Sequence, residues 1–503
     1  MSRSTSSAIV YLLIASSCIN ISRAQAKNSL GSRELPSITN GQGVTGFDDA
    51  IDESLAPIVA ATALEDAIGP IEWDTKPMTM ATNEPPVPFG WYPPAAMMGG
   101  LPPVPPMIKA PDNLHDTIVA NTTVRLRGGG ILRPYGLARG DLDVATHLFN
   151  DIQNPFFVLP NDPAFTTGPG AVPIQPDSTN YSLYPRLTRV GLEYYGIPIP
   201  RLDCAVASAR VEVDFLTANP GGPESRELLR LRLAYAQIKG DEWTFLAGQD
   251  WDIVSPLIPS INDNTLQWNN GNTGDRRPQV KLLRDHEMNN GWIWQFQNGI
   301  GLGDAINGID RDLDGVRDNE YSALPVYEGR TGFIGPSWVR DKKFITGIWT
   351  MVGDQETNLP IAGERNFLLW GYGVDLQLPI THRFMFRGEA FQGANLDDFR
   401  GGIQQGVNLG TGDEIETVGG WGEIVFQPNE CLLFSLGYSM DDPNNDDIPV
   451  GGRTLNHAWY IGTRYLVGRG LVIGADFQDW TTEWNGFEDG DAILAKTFMQ
   501  LNF

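Results

Sequence analysis

The C-terminal segment of the chain alternates apolar and polar side chains. Counted back from Phe503 in steps of two, one parity carries Leu501, Met499, Thr497, Ala495 and Ile493, and the other carries Asn502, Gln500 and Lys496. A period of two residues is that of a β-strand with one apolar face and one mostly polar face. The pattern therefore predicts a strand over 491–503, with Phe503 on its apolar face.

Further segments upstream show the same alternation. They cover 204–215, 229–235, 368–377, 383–389 and 471–478. Such strands can form a soluble sheet, where the apolar face is the core, or a membrane barrel, where that face meets lipid. The number of these segments, their length near that needed to cross a membrane and their aromatic ends favour the barrel. A terminal Phe on the lipid-facing parity is also how the closing strand of an outer-membrane barrel usually ends.

The whole pattern predicts sixteen strands, an even number, as in bacterial barrels. They cover 120–135, 185–196, 203–215, 227–239, 242–251, 277–287, 291–301, 326–336, 341–353, 366–379, 382–394, 416–427, 430–440, 455–466, 469–481 and 491–503. Tight turns at 240–241, 289–290, 379–381, 428–429 and 467–468 alternate with long polar connections. The predicted fold class is therefore all-β: a transmembrane antiparallel β-barrel of about sixteen strands, with a proline-rich N-terminal extension.

Residues 1–26 have the features of a signal peptide. Arg3 precedes an apolar run over 8–21, and Ala24-Gln25-Ala26 gives a small-x-small cleavage pattern. A lipoprotein-type cleavage before Cys18 is the alternative, although Ala15 stands where such sites prefer Leu. No later run of about eighteen apolar residues occurs, so an exported chain that enters a membrane would do so as a barrel.

Residues 27–116 differ from the remainder and are rich in proline. We expect a periplasmic extension or linker, with one short helix over 45–68 that Pro57 interrupts. A disordered spacer is the alternative. The barrel is expected to occupy 117–503.

Charge and cysteine content narrow the classes of function. The formal net charge of −25 argues against nucleic acid as a partner, because phosphate binding requires the opposite sign. Beyond Cys18, the cysteines Cys204 and Cys431 could form one disulfide in an oxidising compartment, but two free thiols are the simpler expectation. The sequence contains no G-x-S-x-G, P-loop or zincin pattern, so we expect that the protein is not an enzyme.

Charged residues cluster around one segment that we expect to fold into the barrel and narrow it, 252–276. The basic members are Arg210, Arg230, Arg232, Arg276, Arg277 and Lys281, and the acidic members are Asp250, Asp252 and Asp263. If they face each other across a water-filled space, they line a constriction whose transverse field favours anions and zwitterions. The alternative is that the arginines form cross-strand pairs with Glu212, Asp214 and Glu227.

A second candidate site is the acidic segment 310–320, which reads DRDLDGVRDNE. Its candidate calcium ligands are Asp310, Asp312, Asp314, Val316 through its carbonyl, and Asp318, with Gly315 at the turn. Position twelve of the pattern is Tyr321 instead of Glu, so the EF-hand loop is incomplete. No cofactor is expected to be required; calcium in an extracellular loop is one prediction, and a solvated acidic loop is the alternative.

Several stretches resemble the DcaP-like outer-membrane porins. Residues 245–255, FLAGQDWDIVS, then 256–264 and 276–280, are similar to the strand, inward-folded loop and return strand of that family, and 419–421 and 479–484 fit the same group. The similarity covers about 117–503. It implies a trimeric, sixteen-stranded diffusion channel of the Gram-negative outer membrane, with small anionic solutes as cargo. That family often begins with a coiled coil, whereas 27–116 contains no sustained heptads.

These observations lead to one expected function and one alternative. The expected function is an outer-membrane porin, a homotrimer in contact with outer-membrane lipid, through which small hydrophilic and in particular anionic solutes diffuse passively. The alternative is a secreted or surface-attached all-β binding or structural protein without channel activity, whose apolar strand faces form a soluble core.

Overall fold

The computed structural model describes residues 123–162, 165, 178–216, 228–303, 324–468 and 470–503. The strands are β1 Val124–Arg125, β2 Ile131–Ala145, β3 Asn180–Tyr184, β4 Arg189–Ile199, β5 Ala205–Asp214, β6 Arg230–Lys239, β7 Trp243–Trp251, β8 Arg276–Glu287, β9 Ile293–Gly301, β10 Val326–Pro336, β11 Lys343–Ile361, β12 Glu364–Pro379, β13 Phe384–Ala394, β14 Glu416–Asn429, β15 Leu432–Pro443, β16 Arg453–Gly468, β17 Leu471–Trp484 and β18 Gly490–Asn502. Short 3₁₀ helices lie at Pro200–Leu202, Asn289–Gly291, Asp397–Phe399 and Asn445–Asp447. In the part of the chain covered by these ranges, no helix is long and apolar enough to span a membrane.

The strands close into an antiparallel barrel of sixteen positions, as predicted. Each strand from β4 to β17 pairs with the next one along the chain, and β18 pairs with β2 from Leu494↔Ala145 to Asn502↔Leu137. The two short strands β3 and β4 together form one interrupted position, because β3 pairs with the end of β2 and β4 with its beginning. Strand β1 adds only a two-residue bridge to the start of β2.

Most strand boundaries differ from the sequence prediction by a few residues, and the largest differences are in two places. The first strand is Ile131–Ala145 instead of 120–135, and Pro134 lies inside it. A proline is tolerated there because β18 ends opposite Leu137, so one side of β2 has no ladder to complete at that point. In addition, β11 and β12 extend to a tight turn at 362–363, where we expected a long loop. The run from Asp354 to Asn358 is polar at every position, which hides the two-residue period.

The connections differ in length between the two rims. Short turns cover 200–204, 240–242, 288–292, 337–342, 380–383, 430–431 and 469–470, whereas the opposite rim carries 146–179, 215–229, 252–275, 302–325, 395–415, 444–452 and 485–489. The hairpin at 362–363 and the short connection 485–489 are the exceptions on the long-loop rim. This asymmetry is typical of barrels with a periplasmic and an extracellular rim. Cys204 and Cys431 are both free and lie in different short turns.

The outward face of the barrel is apolar and the inward face is polar. Outward side chains such as Ile348, Val374, Leu436, Ile461 and Met499 are between 51% and 62% exposed. Inward neighbours on the same strands, such as Asp375, Arg464 and Lys496, are buried. Exposed apolar residues on every strand would be costly in water, and they match a hydrocarbon environment.

Outward aromatic side chains pack in pairs towards both ends of the strands. Phe384 stacks on Phe426 near the short-turn rim, with ring centroids 4.6 Å apart. Tyr438 lies 4.8 Å from Trp459, nearer the long-loop rim. Aromatic girdles at two levels are a property of barrels that cross a bilayer.

We predict that Gly136→Ala weakens the seam between β2 and β18. The backbone groups of Gly136 and Phe503 exchange two hydrogen bonds of 3.0 Å. A Cβ atom at Gly136 would lie 2.6 Å from the carbonyl oxygen of Arg189 and 2.7 Å from the ring of Phe503. Overpacking of this kind costs about 1–3 kcal/mol of folding free energy, which a lower unfolding midpoint in denaturant would report.

Gly140→Ala on the same strand is the matched control, because no atom lies within 4 Å of a Cβ built there. Equal unfolding midpoints for the two variants would contradict the seam argument.

Candidate functional site

Two long loops fold into the interior of the barrel. The inner loop, 252–275, connects β7 and β8, and the covering loop, 395–415, connects β13 and β14. Side chains of the inner loop such as Ile261, Asp263 and Thr265 are almost fully buried, although the loop contains no regular secondary structure. The inward folding expected for 252–276 is therefore present in the structure.

Carboxyl groups on the wall hold the first half of the inner loop. Glu328 on β10 accepts from the N–H groups of Ile253 (2.6 Å) and Val254 (3.1 Å), and Glu389 on β13 accepts from the N–H of Leu257 (2.7 Å). Glu423 on β14 accepts from the N–H of Ser260 (2.9 Å), and Asp476 on β17 accepts from the N–H of Asn262 (2.5 Å). These four strands occur in this order around the wall, with β11 and β12 and then β15 and β16 between them. The inner loop therefore crosses the interior along a row of acceptors.

Arginines of the same wall donate to the carbonyl oxygens of the loop. Arg464 donates to the carbonyl oxygen of Ile261 (2.6 Å), and Arg387 donates to that of Ile258. Arg387 also donates to the hydroxyl of Ser260 (3.2 Å). The wall thus satisfies both the N–H and the C=O groups of a segment that makes few hydrogen bonds of its own.

A narrow open space remains between the inner loop and the wall formed by β18 and β2 to β8. Its lining residues are Leu137, Arg139, Leu187, Arg189, Arg232, Trp251, Asn262, Asp263, Asn264, Leu266, Trp268, Arg276 and Gln500. Four guanidinium groups therefore border the space from the wall, and Asp263 borders it from the loop. The apolar and aromatic side chains of the lining, such as Leu137, Trp251 and Trp268, lie between these charged groups.

The arginines of this wall carry counter-charges on neighbouring strands. Across strands, Arg232 bonds to Glu212 (2.7 Å) and Asp214 (3.1 Å), and Arg230 pairs with Asp214 (2.7 Å). Arg210 pairs with Glu212 of its own strand (3.0 Å) and, across to β4, with Glu193 (3.7 Å). The cross-strand pairs that the sequence offered as the alternative are therefore present for the described acids. Arg232 fits both the pore-lining prediction and the ion-pair alternative, since it is paired and also borders the space. Glu227 lies outside the described residues.

Asp275, at the end of the inner loop, is shared between two arginines. It lies 2.9 Å from Arg276 and 3.0 Å from Arg400 of the covering loop. Burial alone would raise the pKa of Asp275, but the two guanidinium groups outweigh burial and hold the pKa below its ordinary value. The carboxylate therefore stays charged at neutral pH, and one negative charge is set against two positive charges beside the space.

The remaining charged residues named from the sequence lie behind the inner loop. Arg277 bonds to Asp252 (2.7 Å), and Lys281 bonds to Asp250 (2.8 Å); all four side chains are buried. They hold the base of the loop against β7 and β8 instead of bordering the open space. Strand parity gave their inward direction correctly, but it gave no information on the loop in front of them.

Arg139 and Arg189 border the space and were not among the candidates. Arg139 alternates with Asp141 and Asp143 on the inward parity of β2, so a correct position of the first strand would have included it. Arg139 bonds to Asp141 and, at 2.7 Å, to the carbonyl oxygen of Asn262. Arg189 and Glu193 lie on the same, inward face of β4. The alternation along this strand could therefore have identified Arg189 from the sequence.

The predicted calcium ligands, Asp310, Asp312, Asp314, Val316 and Asp318, lie outside the described residues. Calcium binding by that segment therefore stays a prediction. Within the described ranges, no three or more His, Cys, Asp or Glu side chains group in a way that could hold a metal ion.

We predict that Glu423→Gln destabilises the barrel and Glu416→Gln does not. Glu423 accepts hydrogen bonds from the N–H (2.9 Å) and the hydroxyl (2.8 Å) of Ser260, whereas Glu416, on the same strand, is exposed at its loop end. Loss of hydrogen bonds to a charged group costs about 1.5–3 kcal/mol. Unfolding midpoints in denaturant measure the difference; the same midpoint for both variants would show that the wall contacts do not stabilise the inner loop.

No protein-family model matches the sequence, and no curated protein is significantly similar to it. Solved structures of outer-membrane proteins do match the fold. An anion-selective porin from Comamonas acidovorans has a TM-score of 0.48 at 11% identity, covering 74% of this chain and 100% of that one. OprB of Pseudomonas putida has a TM-score of 0.45 at 9% identity, covering 77% and 96%.

The outer membrane channel DcaP of Acinetobacter baumannii is more similar. Its TM-score is 0.59 at 15% identity, covering 76% of this chain and 99% of that one. The aligned share of this chain corresponds in size to the barrel without the N-terminal extension. The chain therefore has the fold of the outer membrane channel DcaP.

Proposed function

We propose that this protein is an outer-membrane porin through which small hydrophilic solutes diffuse, with a preference for anions. One observation carries the proposal: an open space bordered by Arg139, Arg189, Arg232 and Arg276 remains beside the inner loop, inside a barrel with an apolar outward face. The fold shared with a known outer membrane channel supports it. The same fold supports passive diffusion instead of enzymatic activity.

The local charges explain how an acidic protein can prefer anions. The net charge of −25 is distributed over the whole chain, and water and salt screen charges that lie more than about 10 Å from the path of the solute. The charged side chains that border the space are the four arginines and Asp263, whereas the carboxylates paired with Arg139, Arg232 and Arg276 do not border it. An anion that gives up part of its hydration there meets several N–H donors, whereas a cation meets mainly Asp263.

The outward face argues against the alternative of a secreted soluble protein. Such a protein would enclose its apolar side chains and expose its charged ones. In this barrel Ile461 and Met499 are more than half exposed, while Arg277 is fully buried. An arrangement of this kind supports contact with outer-membrane lipid, and therefore location in the outer membrane.

A homotrimer is part of the proposal, and a flat outward patch supports it. Ala209 on β5, Ala236 on β6 and Ala247 on β7 lie directly opposite one another in register. Small side chains let two barrels approach closely. We propose that a second copy packs on this patch.

Replacing Ala236 by Trp should convert the trimer to a monomer, because the indole ring would hold the neighbouring barrel away. Light scattering of the detergent-solubilised protein, corrected for bound detergent, measures the mass. Leu436→Trp, on the outward face of β15, is the control and should remain trimeric. A trimeric A236W variant would place the interface elsewhere.

Single-channel recording in planar lipid bilayers tests channel function and its ion preference. Wild-type protein should conduct and favour anions. Because a unit charge acts on an ion about 4 Å away in water with about 1 kcal/mol, the double variant R232Q/R276Q should lower the anion-to-cation permeability ratio at least about fivefold. R383Q, in an exposed short turn, should leave the ratio unchanged. Correctly folded wild-type protein without conductance would contradict the proposal.

A further inference from the structure

The covering loop lies against the second half of the inner loop. The N–H of Asn269 donates to the carbonyl oxygen of Arg400 (2.7 Å), and the N–H of Gly274 donates to that of Phe399 (2.8 Å). In return, the N–H of Gln404 donates to the side-chain oxygen of Asn269 (2.9 Å). These contacts connect the two loops directly, without the barrel wall between them.

Wall side chains hold both halves of the inner loop: in the second half, Asn456 on β16 donates to the carbonyl oxygen of Asn269 (2.7 Å), and Ser439 on β15 donates to the side-chain oxygen of Gln267 (2.9 Å). The wall carboxyl groups hold the first half, up to Asn262. In the second half, Leu266 and Trp268 border the open space. The guanidinium of Arg400 lies 5.1 Å from the ring centroid of Trp268 and also pairs with Asp275 at 3.0 Å. The position of the Trp268 side of the space thus depends on the covering loop as well as on the wall.

Arg277 connects the covering loop to the wall. This side chain of β8 is fully buried; it bonds to Asp252 at the start of the inner loop (2.7 Å) and to Asp398 of the covering loop (2.7 Å). Its guanidinium also lies 3.6 Å from the ring centroid of Phe399 and bonds to the carbonyl oxygen of Leu302 (3.1 Å). One cation therefore joins the wall, the base of the inner loop and the covering loop.

The tip of the covering loop has a single constrained conformation. Gly402, Ile403 and Gln404 have φ angles of 64°, 53° and 58°, and two of these residues are not glycine. Left-handed conformations of such residues persist only where the surroundings fix them. Here Arg453 bonds to the carbonyl oxygen of Ile403 (2.8 Å), and Gln405 bonds to the carbonyl oxygen of Arg453 (2.9 Å). The covering loop is therefore suited to hold another segment in place.

We propose that Arg277 and Asp398 are positioning residues of the channel, which fix the covering loop and thereby set the width of the pore beside Trp268. This inference rests on the proposed channel function. Neither residue borders the open space, so both act through the loops. Of the arginines that border the space, Arg139, Arg189 and Arg232 lie on the wall strands β2, β4 and β6, whereas Arg276 is joined to the covering loop through Asp275 and Arg400. We expect the first three to keep their positions when the Arg277–Asp398 contact is removed.

The test is single-channel recording of Asp398→Asn, which keeps a hydrogen-bonding side chain but removes the charge. Mean conductance should rise roughly twofold and the open-channel current should become noisier, because the Trp268 side of the pore is no longer fixed. The anion-to-cation permeability ratio should stay at the wild-type value. Arg277→Lys, which keeps the charge but not the planar fork, should give an intermediate conductance.

Asp413→Asn removes an exposed charge from the same covering loop and should behave as wild type. Heat-modifiable migration in gels establishes that each variant is folded. If R277K does not fold, D398N carries the test alone. A folded D398N variant with wild-type conductance and noise would overturn the inference, and so would a fall in the permeability ratio parallel to the conductance rise.

The two proposals fail in different ways. If the wild-type protein does not conduct, the channel function and the positioning role are both wrong. If the wild type conducts and D398N is indistinguishable from it, only the positioning role is wrong.

Discussion

A loop without secondary structure can lie inside a barrel only if other groups satisfy its backbone. The interior of this barrel meets that requirement with carboxyl groups that accept from N–H donors and arginines that donate to carbonyl oxygens. The constriction follows from this arrangement, because the loop lies close to one wall and leaves the opposite, arginine-lined wall open. Without these contacts the loop would not narrow the interior, and a barrel of sixteen strands would enclose a wide aqueous channel without a selective constriction.

The polarity of this molecule is inverted relative to that of a soluble protein, and its buried charges follow from that inversion. Lipid requires an apolar exterior, so the inward parity of every strand is free to carry Arg, Asp, Glu and Gln. Inward-facing side chains and the inserted loops pack closely. Charged groups such as Arg330 and Asp375 are therefore buried, and they form an ion pair at 2.7 Å. Each pair has good geometry, as buried ions need in order to offset the loss of hydration.

The sequence was sufficient for the architecture and for the inward folding of 252–276, because both depend on local patterns: a period of two, the positions of turns and the charges of flanking strands. It was not sufficient for the roles of individual charges. Arg276 and Arg277 are neighbours in sequence, yet one borders the space and the other is fully buried. Only the path of the two loops decides between them, and that path depends on contacts such as Arg277–Asp398, which join residues 121 positions apart.

The pairing of β2 with β18 has a consequence for biogenesis. It joins residues near 140 to residues near 499, the beginning of the barrel to its end. Until this contact forms, both strands present unpaired edges that can adhere to other chains, and contacts so distant in sequence form slowly. A chain of this kind that crosses another compartment before it folds must keep both edges apart from other chains until the barrel closes.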